Sequence, residues 1–199
     1  MKKWIVLLLA AGAVYYFMKD TPAVKNVNNA GSTVVAFGDS LTAGYGAPEG
    51  EAYPDFLSKK IGREVVNLGL SGETAAHAPS RLAQVLEQNP YMVLIEFGAN
   101  DYMQGRSMET AVAAVGQIVD AVQQAGAIAV IIDTGGPGMG RYTQAYKEMA
   151  RQKEAVFVPE ILKGIFNKRQ YKSDMVHPNG AGYEIVAERV YQEIKPYLK

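Results

Sequence analysis

The 199-residue sequence has no cysteine and only two histidines, and its 20 basic side chains are matched by 20 acidic ones. Without cysteine there are no disulfides, no thiolate catalysis and no cysteine-ligated zinc. The cancelled charge removes the electrostatic case for a nucleic-acid partner. Two histidines without a His-Glu-x-x-His pattern leave no zinc motif, so neither metal nor cofactor is expected. There is no G-x-x-x-x-G-K-[ST] phosphate loop. The turn Gly44-Tyr45-Gly46 has Glu49 where a dinucleotide fingerprint needs its third glycine. The G-x-S-x-G elbow of the α/β-hydrolases is also missing, and no repeat or low-complexity tract is found.

What is present begins at the N-terminus. Lys2 and Lys3 precede an uncharged run over 4–18, closed by Lys19-Asp20. A basic start before a short apolar run is the pattern of an export signal, and Ala11-Gly12-Ala13 offers the small residues a signal peptidase accepts. Val14-Tyr15-Tyr16-Phe17-Met18 prolongs the run with aromatics suited to a membrane interface, which favours an uncleaved anchor. The run is shorter than the roughly 20 residues of a full span. Residues 1–19 are therefore expected to be a signal or membrane anchor. The charge bias places the domain outside, in the periplasm or on the outer face of the inner membrane. Pro22, Asn26, Asn28, Asn29 and Gly31 make 20–32 read as a linker, and 33–199 as one domain of ordinary size.

Within that domain apolar, β-branched runs alternate with helical patterns. Strands are predicted at 33–37, 64–68, 91–97, 127–133 and 155–158. Helices are predicted at 53–61, 74–88, 107–124, 142–152 and 180–194. The alternation argues for an α/β domain, a parallel sheet covered on both faces. Residues just past strand ends converge in such a sheet, because sites form outside the carboxyl ends of the strands.

Four short stretches fall at such places: Gly38-Asp39-Ser40-Leu41, Ser71-Gly72, Gly98-Ala99-Asn100-Asp101 and Asp174-Met175-Val176-His177-Pro178. They offer a hydroxyl nucleophile in Ser40, a backbone donor in Gly72, an amide donor in Asn100, and a base in His177 with Asp174 three residues before it. Those are the parts of acyl transfer. Each has a plainer use. Ser40 suits a helix N-cap, Gly72 a turn glycine and Asn100 a loop residue bonding its own backbone. Asp174 or Asn179 suits the cap of the last helix. Asp39 reads as a turn former and Asp101 as a buttress. His77, among alanines on a predicted helix, reads as structural.

These blocks, with Asn67-Leu68-Gly69-Leu70-Ser71-Gly72-Glu73-Thr74, resemble the SGNH hydrolases, also called the GDSL esterase/lipase family. The resemblance covers about 33–198. Thr42-Ala43-Gly44-Tyr45-Gly46 and Asn179-Gly180-Ala181-Gly182-Tyr183 look most like the small arylesterase/thioesterase/lysophospholipase branch. The resemblance implies a flavodoxin-like three-layer α/β/α sandwich with a five-stranded parallel sheet, and no metal. It implies that Ser40, Asp174 and His177 are catalytic, and that the Ser40 and Gly72 N–H groups and the Asn100 amide form the oxyanion hole. Ala99 stands where the family often has glycine.

The expected activity is hydrolysis of small or single-chain acyl esters, thioesters or lysophospholipids, with a bilayer-proximal anchor favouring lipid-derived substrates. Two alternatives stand beside it: an O-acetylesterase of envelope or extracellular polysaccharide, and an idle scaffold that kept the fold. An apolar groove lined by Met103, Met139 and Tyr142 would favour acyl chains, and a shallow polar cleft sugar.

Overall fold

The structure is a computed structural model that describes residues 23–199. The expected signal or anchor, 1–19, lies outside the described residues. Five parallel strands form one sheet: β1 (Thr33–Gly38), β2 (Val65–Asn67), β3 (Pro90–Glu96), β4 (Ile128–Ile132) and β5 (Val156–Val158), in the order β2-β1-β3-β4-β5. This is the flavodoxin-like order expected. It places the switch point between β1 and β3, where a cleft opens at the carboxyl ends.

The central strands are apolar because both faces are covered. Their alternate side chains go to two layers. Val35, Phe37, Val93, Ile95, Ala129 and Ile131 face α5 (Met108–Gln124) and α6 (Gly140–Lys153), where Ile118 and Tyr146 pack. Val34, Ala36, Met92, Leu94 and Val130 face α2 (Tyr53–Ile61) and α7 (Gly180–Ile194), through Leu57, Tyr183 and Val186. Among the described residues no helix is long and apolar enough to cross a membrane.

Three features depart from the sequence-based expectation. Two short helices, α1 (Ser40–Ala43) and α4 (Ala99–Met103), follow β1 and β3 directly. The helix expected over 74–88 is a turn, a 3₁₀ segment (Ala78–Arg81) and a short α3 (Leu82–Leu86). Pro79 has no N–H to give an upstream carbonyl, so a continuous helix there would lack a bond. Residues 23–32, expected as a linker, lie against the domain. The Asn26 amide donates to the Gln123 and Ala127 carbonyls (2.9 and 3.0 Å), and Asn29 to that of Tyr91 (3.0 Å). Asn26 and Asn29 are therefore ties to the amino ends of β4 and β3.

Candidate active site

The nucleophile turn is set by a cap. Asp39 is the N-cap of α1, its Oδ1 accepting the Leu41 N–H at 3.0 Å. Ser40 is thus the first helical residue and not the cap, so its hydroxyl is free of that duty. The turn also explains Gly38. A Cβ there would sit 2.1 Å from Thr42 Oγ1 and 2.7 Å from the Glu96 carbonyl oxygen.

The base arrives from the loop before α7. His177 Nε2 lies 3.1 Å from Ser40 Oγ, and its Nδ1 lies 2.7 Å from Asp174 Oδ2. Asp174 Oδ1 accepts the N–H groups of Val176 and His177, both at 2.8 Å. Asn179, not Asp174, caps α7, accepting from the Gly182 N–H. Partial burial acts to raise the Asp174 carboxyl. The bonds from the His177 backbone and ring and from the Val176 N–H outweigh it and hold it at about 2. An anion at Nδ1 fixes the imidazole tautomer and leaves Nε2 to take a proton from Ser40.

The donors converge from two other loops. Gly72 has φ +82°, with open space where a Cβ would be. Among the described residues the N–H groups of Ser40 and Gly72 donate to no protein acceptor. Arg81 braces the Gly72 loop. Its Nε donates to Glu73 Oε1 at 2.9 Å, its Nη2 to Glu73 Oε2, and its guanidinium to the Leu68 carbonyl. Asn100 is nearly buried. Its Nδ2 donates to Asp39 Oδ2 (3.0 Å) and to the Glu73 carbonyl (2.9 Å). It therefore bonds across to two other segments, not to its own backbone. Asp101 takes the Ala75 N–H at 2.8 Å, which is the buttress expected of it. His77 is exposed, and its ring meets Thr74 and not Ser40 or Asp174: Nδ1 lies 3.4 Å from Thr74 Oγ1.

Beside Ser40 and His177 opens an apolar cavity of about 140 Å³, lined by Leu41, Ala99, Met103, Met139, Leu162 and Phe166 among others. Ala99 is helical, lines this space and shows no strained loop angle. Of the three residues whose placement would favour acyl chains, Met103 and Met139 line the cavity. Tyr142 does not; it is buried behind the wall against Tyr102 and Tyr146.

Besides Arg81, sequence reasoning missed other supporting residues. Tyr45 lays its ring 4.5 Å from the His177 imidazole, and Tyr183 Oη holds the Tyr45 carbonyl at 2.8 Å. Glu96 is completely buried beneath the nucleophile turn. Its one visible signal was an acidic residue ending an otherwise apolar strand. Among the described residues no cluster of three or more His, Asp or Glu is placed to hold a metal ion.

Comparison with known proteins identifies the family. The family model described as "GDSL-like Lipase/Acylhydrolase family" matches residues 36–185. An arylesterase of Vibrio mimicus is 28% identical over 184 residues, covering 86% of this chain and 92% of the relative. The thioesterase 1/protease 1/lysophospholipase L1 of Escherichia coli K12 is 29% identical over 179 residues, covering 85% and 86%. The crystal structure of TesA superposes with a TM-score of 0.78 at 27% identity, covering 84% of this chain and all of that one. With the match running from within β1 into the last helix, the chain belongs to the GDSL-like lipase/acylhydrolase family and is a carboxylic ester hydrolase of that type.

Proposed function

We propose that the protein is an exported serine esterase that cleaves short to medium acyl esters or thioesters through an acyl-enzyme on Ser40. The observation that carries this is the Ser40–His177–Asp174 relay, at 3.1 and 2.7 Å, opening directly onto an apolar cavity. Ser40 Oγ attacks the acyl carbon while His177 Nε2 takes its proton. The oxyanion forms against the Ser40 and Gly72 N–H groups and the Asn100 amide. Both Asn100 amide hydrogens face protein acceptors, so that amide meets the oxyanion by sharing or exchanging one bond. His177 then protonates the leaving alcohol or thiol. Water, deprotonated by the same imidazole, releases the acid and restores Ser40.

The cavity argues for an acyl group over a sugar. An apolar cavity of about 150 Å³ holds a benzene-sized guest, so a space of this size suits on the order of six carbons. The lysophospholipase and thioesterase activities in the name of the Escherichia coli relative point the same way.

Residues 1–19 are proposed as the export signal or anchor, on their basic start and short apolar run. The chain joins the domain at the edge opposite the site. Val24 lies beside Pro196 and Tyr197, just beyond the far end of α7, whose first turn adjoins His177. Fifteen helical residues span about 22 Å.

The test is a panel of esters from acetyl to long acyl, run beside acetylated glycans and a fluorophosphonate probe. Labelling lost in Ser40→Ala, with kcat/KM peaking near six carbons, is expected. A preference for acetylated glycan would transfer the site to the O-acetylesterase reading. An unlabelled, folded domain would leave the idle scaffold.

A further inference from the structure

Glu96 ends β3 with no solvent exposure, and Asp39 beside it is 1% exposed. An isolated ionised carboxylate at such a depth is strongly unfavourable. Yet among the described residues neither forms an ion pair with lysine, arginine or histidine. Glu96 pairs with Gly38 in the β1–β3 register, and its Oε2 takes Thr42 Oγ1 from the short helix that Asp39 caps, so the two carboxyls lie side by side. Two adjacent buried carboxyls with no cation beside them cannot both stay ionised, so one of them keeps a proton. Both carboxyls also accept neutral donors. Glu96 Oε2 accepts from Thr42 Oγ1 (3.1 Å) and Oε1 from Thr134 Oγ1 (3.2 Å). Asp39 accepts from the Leu41 N–H and the Asn100 amide. One buried point thus joins the nucleophile turn, the Asn100 loop and, through Thr134, the cavity wall.

We propose that Glu96 is a positioning residue: it and Asp39 share a single proton, and this singly charged pair holds the Asn100 amide and the Ser40 turn in place for acyl transfer. The inference rests on Asn100 and Ser40 acting as described above.

The groups facing the pair offer no compensating cation. They are Tyr53 from α2, Asp101 from α4, Tyr146 from α6 and Tyr183 from α7, with Asp133 next to Thr134 and, beyond Ser40, the His177–Asp174 couple. Burial, then Glu96, pushes Asp39 well above the usual carboxylate range; burial likewise raises Glu96. The folded protein therefore keeps a proton that the unfolded chain releases near pH 4. Its stabilising effect is complete below that pH and declines as pH rises, until the folded pair itself deprotonates. The decline is tenfold in the folding constant per pH unit.

Glu96→Gln supplies a fixed N–H in place of the shared proton, and the threonine hydroxyls can rotate to meet it. Urea unfolding from pH 5 to 9 should show the wild type losing this one-proton slope relative to Glu96→Gln. Glu96→Ala should lower kcat about 10²-fold, as small misplacements do, with KM for a soluble ester little changed. Glu96→Gln should recover most of that loss. Equal pH slopes in wild type and Glu96→Gln would overturn the proposal. The wild type gives a check that needs no Glu96 variant to fold. Its infrared spectrum at pH 7 should carry a protonated-carboxyl C=O stretch that persists in Asp133→Asn; absence of the band, or its loss in that variant, would also overturn it. Fluorophosphonate labelling of Ser40 keeps the two ideas apart, since it reports the esterase whether or not the pair shares a proton.

Discussion

Asn100→Ala separates two roles that one amide fills. In the resting protein its Nδ2 ties Asp39 to the Glu73 carbonyl, and in the reaction it is assigned to the oxyanion. Removing it strands two buried acceptors, each worth about 1–3 kcal/mol when left unpaired. The cavity alongside can admit water to one of them, so the total is taken near the lower end, about 2–3 kcal/mol. For a domain of this size each kcal/mol moves Tm by roughly 2–4 °C, giving a fall of about 4–12 °C. Catalysis should suffer separately. Loss of one oxyanion donor costs on the order of 10²–10³ in kcat. The assay is ester hydrolysis at saturating substrate, with a thermal melt of the same preparation. A wild-type kcat would remove Asn100 from the oxyanion hole. A large kcat loss with an unmoved Tm would mean that the two bonds do not hold the resting protein together.

Further tests concern the histidines and the turn. His177→Ala should cut kcat by on the order of 10⁴–10⁶-fold with little change in the melt, whereas His77→Ala, at an exposed position, should hardly alter either. A collapse of activity in His77→Ala would mean that the wrong imidazole has been assigned. Gly38→Ala drives a methyl to within 2.1 Å of Thr42 Oγ1 and 2.7 Å of backbone oxygen. Its urea midpoint should fall by the equivalent of about 1–3 kcal/mol, the usual cost of overpacking. An unchanged midpoint would show that the turn has room the structure denies it.

The site works through a shared edge. Every group that touches the reaction stands within a few residues of a strand's carboxyl end or the start of α7. The supporting groups reach sideways: Arg81 to the Gly72 loop, Tyr45 to the imidazole, Thr134 to Glu96. Ser40, Gly72, Asn100 and His177 are therefore held from several elements at once, and a change in one brace should be felt by more than one of them.

The sequence alone determined the alternation of elements, because buried strands and amphipathic helices write different periods. The bounds of α2 and α7 came out as read, and the five strands fell within one or two residues. It also marked the four loop blocks, since serine, glycine, asparagine and Asp-x-x-His each carry a chemical capacity wherever they fold. The sequence left open which of two uses each residue serves. Only the folded chain settled that Asp39 caps α1 so that Ser40 does not, and that Asn179 caps α7 so that Asp174 can hold His177. Short helices such as α1 and α4 have too few turns to leave a period, and the 74–88 pattern concealed the missing donor at Pro79. The partners of Glu96 lie 57, 54 and 38 residues away along the chain, at Asp39, Thr42 and Thr134. A buried carboxyl takes its meaning from groups that only the sheet order brings within hydrogen-bond reach, and no local pattern can record that.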